Sequence, residues 1–155
     1  GETVHLGRLD GADVVYLAKR ESVHPLRLYS AVGRRLPAHA TALGKALLAR
    51  LEPSALDALL GPGPLGALTP TTNTDRSRLD DEHAAVREAG VAHDRGENSA
   101  GISCFAVAIG RAGSLNAISC SLPDARLDDA HRDEIVAALL EGAREADSLL
   151  GRLGA

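Results

Sequence analysis

The chain has 155 residues, 45% hydrophobic and 25% charged, with 17 Lys and Arg against 21 Asp and Glu for a formal charge of −4. That is the size of one domain with a real core and an ordinary soluble composition. An acidic chain without a Lys/Arg-rich tract is not built to grip nucleic acid by itself, because phosphate contacts need clustered cations. No apolar run approaches the length of a membrane span and nothing resembles a secretory signal. With two Cys, the expectation is a reducing, cytoplasmic setting. Aromatics make up only 2%, so Leu, Val, Ile and Ala must fill the core.

Thr3-Val4-His5-Leu6-Gly7-Arg8-Leu9 alternates in polarity, as does Val14-Val15-Tyr16-Leu17-Ala18. Asp10-Gly11 between them is a tight-turn signal, so a β-hairpin is predicted. Leu26-Arg27-Leu28-Tyr29 predicts a third short strand. Residues 36–49, a proline followed by small residues, predict an amphipathic helix that stops before Pro53. The amides at such a helix start lack intrahelical partners and carry partial positive charge. On this reading Lys45 lies outward. Ser54 opens a short helix ending at Gly61, and residues 61–66, rich in Gly and Pro, are loop. Thr74 or Asp75 caps a helix with Leu79, His83 and Val86 on one face, and Gly90 closes it. Residues 91–95, 102–109 and 115–122 predict strands. Asp128 caps a last helix with Ile135, Leu139, Ala143, Ala146, Leu150 and Leu153 in one stripe. The expected class is α+β, a mainly antiparallel sheet flanked by helices.

The chemistry concentrates on the second hairpin. If it turns about Ala112-Gly113, paired positions sum to 225, which sets Cys104 across from Ser121 and Ala106 across from Ser119. Alternation then places Cys104, Ala106, Ser119 and Ser121 on one face of the sheet, with Phe105 and Cys120 on the other. The two Cys are therefore not paired with each other. Small polar groups where a sheet would otherwise carry Val or Ile point to a pocket; plain packing of small residues beneath a helix is the alternative.

Gly90, Asp94, Glu97, Cys104, Ala106 and Ile109 at these spacings resemble the signature segment of the isocitrate-lyase-regulator (IclR) family of bacterial transcription factors. Residues 36–49 and Ala117-Ile118-Ser119-Cys120-Ser121-Leu122-Pro123 are similar to two further runs of that family. Phe105 stands where the family usually has an aliphatic residue, and Gly110-Arg111 where it has an aromatic and an acidic one. The resemblance implies that residues 1–155 are a C-terminal effector-binding domain with a GAF/PAS-like sensor fold, without the family's N-terminal winged helix-turn-helix. It further implies a small-molecule effector held by the backbone N–H groups of Ala42 and Leu43 and by Asp94, Cys104, Ser119 and Ser121. A homodimer or tetramer is implied, with DNA reached only through the missing domain. A carboxylate suits helix-start amides. Asp94 would repel an anion, so it would act through a water, accept a ligand hydroxyl, hold a protein donor, or simply sit in a turn.

Other functions fit less well. A phosphate loop at Gly44-Lys45 would need Gly at position 39 and Ser or Thr at 46, where His39 and Ala46 stand. A Cys104–His39–Asp94 hydrolase needs a base within reach of the thiol, which nothing in the sequence supplies. Six scattered His lack paired ligand spacing, leaving only a weak zinc reading on Cys104 and Asp94. No enzyme activity, cofactor or metal is expected. An oligomerisation-only module is the remaining competitor, and it predicts a Leu- or Val-filled space in place of a cavity.

Overall fold

The chain folds into a single six-stranded antiparallel sheet. The computed structural model describes residues 1–25, 28–111 and 113–152. Strands β1 (Thr3–Asp10) and β2 (Asp13–Arg20) form the first hairpin, and β3 (Arg35–Pro37) adds to β2. A 3-10 turn (Ala38–Ala40) leads into helix α1 (Ala42–Leu48), followed by α2 (Pro53–Leu60) and α3 (Arg76–Ala89). Then come β4 (Ala92–Arg95), β5 (Ile102–Ile109), β6 (Asn116–Pro123) and the long helix α4 (Asp129–Arg152). The strand order is β3-β2-β1-β6-β5-β4, so the N-terminal strand lies at the centre against β6.

The second hairpin has the register expected from its turn. Cys104 pairs with Ser121, Ala106 with Ser119 and Phe105 with Cys120, and both Cys are free thiols. Alternation separates two cores. Ala106 and Ala117 join Leu9, Val14, Leu43 and Leu47 beneath α1, whereas Phe105, Val107 and Ile109 pack with Ile135, Leu139 and Ala143 of α4. With small side chains on the inner face, α1 sits close to the sheet. The closest approach is at Gly44, where a Cβ would stand 2.0 Å from the Ala38 carbonyl oxygen. Gly44 is therefore fixed by backbone crowding.

Several boundaries follow their caps. Thr41 accepts the Gly44 amide and opens α1, Asp75 accepts that of Ser77 at α3, and Asp128 accepts that of His131 at α4. Gly90 ends α3 in the left-handed conformation, φ 73°. The expected stripe of α4 is buried at Ile135, Leu139 and Ala143, and Leu153 lies outside the described residues.

Three expectations need correction. The strand predicted over residues 26–29 is not formed at Leu28 and Tyr29, which are irregular, while Leu26 and Arg27 lie outside the described residues. The third strand is instead Arg35–Pro37. The predicted 36–49 helix is a strand end, a 3-10 turn and a seven-residue helix in succession. Pro37 does not start it: Ala38 donates its amide to Ala12, and the α-helical cap is Thr41. Finally, Lys45 is not on an outward face. Every residue of α1 is buried, so the helix has no solvent side, and Lys45 is 2% exposed.

Candidate functional site

The inner sheet face carries Thr3 and His5 of β1, Cys104 of β5, and Ser119 and Ser121 of β6. A cavity of about 150 Å³ opens between His5, Tyr16, Leu36, Asp94, Cys104 and Ser121 of the sheet and Leu28–Ser30 and Arg34 of the connection between β2 and β3. A space of roughly this size holds one benzene ring in a well-characterised engineered cavity. The His5 ring stacks on Tyr16 with centroids 4.5 Å apart, and its Nε2 lies 2.8 Å from Ser30 Oγ. Burial and the nearby Lys19 push His5 down to about 4, so the ring is neutral at physiological pH. Arg34, at the exposed rim, donates to the Tyr29 carbonyl and lies over the Tyr29 ring.

Asp94 lies in β4, and its side chain holds the turn that follows. Its Oδ1 accepts the Glu97 amide at 2.7 Å and the Asn98 amide at 3.4 Å. Of the roles open to this acid, holding protein donors in a turn is therefore realised. Yet Asp94 is only 2% exposed, and burial, with Glu97 adding repulsion, lifts it to about 7 against the pull of the two amides and Lys45. Near neutral pH it is divided between charged and neutral forms, and the neutral carboxyl can donate a hydrogen bond to an anion. The Cys104 thiol is pushed well above its ordinary value by burial and by Asp94, although Ser121 hydrogen-bonds it. It stays protonated, a weak donor in the cavity wall.

Of the six residues singled out as contacts, Asp94, Cys104 and Ser121 line this cavity. Ser119, Ala42 and Leu43 are equally buried but are not among its lining residues. The amides of Ala42 and Leu43 precede the first helical bond of α1, in which Lys45 donates to the Thr41 carbonyl. Tyr16, His5 and Arg34 are lining residues that the sequence reading did not single out. The inward phase of His5 in its alternating strand was the available signal.

His39 is held by the Gly66 carbonyl at 2.8 Å and is not part of the cavity, so no Cys104–His39–Asp94 relay is assembled. Among the described residues, no group of three or more His, Cys, Asp or Glu is placed to hold a metal ion. A larger open hollow of about 710 Å³ lies at the far end of α1. Three of its polar side chains are committed: Arg50 to the carbonyls of Gly110 and Arg111, Arg87 to that of Ala49, and Asp147 to the Gly110 amide.

Residues 1–148 match the family described as the bacterial transcriptional regulator IclR C-terminal domain. The chain belongs to the IclR family. It is 43% identical over 132 residues to the HTH-type transcriptional regulator XynR of Escherichia coli, covering 84% of this chain and 52% of XynR. The crystal structure of the C-terminal domain of E. coli KdgR superimposes with a TM-score of 0.86 at 32% identity, covering 97% of this chain and 88% of that one. The inducer-binding domain of a double mutant of the PobR transcription factor from Acinetobacter, in complex with 3-hydroxybenzoic acid, gives 0.83 at 28% identity, covering 93% of this chain and 86% of that one. This IclR domain has the GAF/PAS-like α+β fold of its neighbours and is a regulatory domain, not an enzyme. It spans about half the length of the curated relatives it matches. No helix among the described residues is long and apolar enough to cross a membrane.

Proposed function

We propose that this IclR domain senses a small organic acid in the cavity between His5, Asp94, Cys104 and Ser121, and that occupancy biases DNA binding by a winged helix-turn-helix outside residues 1–155. The observation that carries this reading is a polar-lined space of about 150 Å³ in the inner face of the sheet. An oligomerisation-only module has no use for such a space. The aromatic acid in the PobR inducer-binding domain supports the ligand class. Direct contact is assigned to Asp94, Cys104 and Ser121, while Ser119 and the first-turn groups of Ala42 and Leu43 form the wall behind them. The regulator works in the cytoplasm as a homodimer or tetramer, and the effector acts by binding two arrangements of that assembly with different affinity.

An anion entering beside Asp94 favours its protonated form, so binding takes up a proton. With Asp94 at about 7 in the free domain, affinity should fall about tenfold between pH 6 and pH 8. Calorimetric titration with pyruvate, lactate, propionate and benzoate at both pH values checks this. Asp94→Asn should flatten the dependence, and Ser121→Val should weaken binding more than Ser119→Val. If no acid binds, or binding is indifferent to both the pH and Ser121→Val, the reading is wrong.

A further inference from the structure

Tyr16 lies in β2, lines the cavity and is 8% exposed. One face of its ring is stacked on His5. Among the described residues its hydroxyl has no hydrogen-bond partner, yet that oxygen is not one of the fully sealed atoms, as both ring nitrogens of His83 are. It keeps open surface, and the space that Tyr16 lines is the cavity. The charges felt by the phenol agree with this placement. Burial raises it above its ordinary value, Cys104 and Asp94 add to the rise, and Arg34 opposes it. All three of those residues line the same cavity. The phenol stays protonated at physiological pH and remains a donor there, whereas Asp94 is a donor only in its neutral form.

The backbone of Tyr16 also places the cation at the rim. Its amide donates to the Arg34 carbonyl at 3.0 Å, and its own carbonyl accepts the Gly33 amide at 2.8 Å. An unpaired O–H and a guanidinium are thus tied to one position of β2. A hydroxyl in a buried wall has lost its water partners on folding, and an acceptor that enters the cavity restores the bond. A carboxylate gains more there than a neutral acceptor does, because hydrogen bonds to an ionised group are about twice as strong.

We infer that Tyr16 is a ligand-binding residue of this site, its hydroxyl donating to the carboxylate of the acid and turning the charged end of the ligand toward the β2–β3 connection that carries Arg34. This rests on the cavity being the effector site.

The test uses whichever of pyruvate, lactate, propionate and benzoate binds the wild-type domain most tightly. Tyr16→Phe keeps the ring on His5 and removes only the oxygen. By calorimetry it should weaken that acid at least about tenfold, the worth of one charge-assisted hydrogen bond, while the pH dependence carried by Asp94 persists. A smaller loss in the folded variant overturns the inference and spares the cavity. Binding of none of the four acids to the wild type overturns both. Should Tyr16→Phe not fold, the wild type decides. The chain has two tyrosines, and Tyr29→Phe, at a position 94% exposed, assigns their ring Cζ resonances. Saturating acid must move the Cζ resonance of Tyr16, and a stationary one overturns the inference.

Discussion

Lys45→Met is expected to lose about 3–5 kcal/mol of folding stability, the usual cost of stranding one member of a buried ion pair. Lys45 Nζ lies 2.5 Å from Glu97 and 2.7 Å from Glu82, and Glu97 is itself almost wholly buried. The same Glu97 carboxylate accepts the Asn73 amide, while its backbone carbonyl accepts the Thr72 hydroxyl. The ion pair thus joins α1, the loop before α3, α3 itself and the turn that Asp94 organises. Without the ammonium, the Glu97 carboxylate is left buried without its cation, which loosens the 94–98 turn. The double variant Lys45→Met with Glu97→Leu should recover a large part of the loss, because a buried pair replaced as a unit is often near neutral. Urea unfolding of the three proteins measures both numbers. A loss below about 1 kcal/mol for the single variant, the value of an exposed pair, would sink the argument.

That the sequence analysis placed Lys45 outward shows where pattern reading stops. A face can be assigned only when a helix has one, and α1 is enclosed by the sheet, the 3-10 turn and α3 on all sides. The cue was Gly44: its backbone contact with Ala38 wraps the preceding turn over the helix, and only coordinates reveal that. By contrast, the β5–β6 register was legible, because period-2 alternation and a glycine turn leave little freedom and a slip of one residue would move Phe105 from the core under α4 to the small-residue face under α1. From that register followed the shared face of Cys104, Ser119 and Ser121. The other wall of the cavity was not legible. Arg34 and Leu28–Ser30 come from an irregular connection between β2 and β3, whose placement depends on distant bonds such as Lys19 Nζ to the carbonyls of Leu28 and Ser30. His5 was one of six histidines until its place in the cavity wall singled it out.

Acidification should destabilise this domain well above the range in which carboxylates titrate. His5 and His83 are buried and held at about 4, chiefly by desolvation, and both ring nitrogens of His83 lack partners. In the unfolded chain each returns to 6.5. Between pH 6.5 and about 4 the unfolded state therefore binds more protons, so stability is complete above 6.5 and is lost as pH falls through that window. Each buried histidine accounts for about 3 kcal/mol at the lower end. His93, stacked on Phe105 and less buried, acts in the same direction with a smaller share. Asp94 opposes them, since its raised value stabilises the fold as pH drops from about 7 toward 3.8. Three histidines against one carboxyl leave a net loss of a few kcal/mol. Below that window Glu2, whose value Arg126 holds down, adds a further loss. His83→Leu separates the contributions, because it removes two buried nitrogens without partners and lies outside the cavity between His5 and Asp94. Relative to wild type, the variant should gain about 2–3 kcal/mol between pH 7 and pH 4.5. Equal differences in urea midpoint at the two pH values would mean that His83 is solvated or charged in the folded domain, and that the acid sensitivity lies elsewhere.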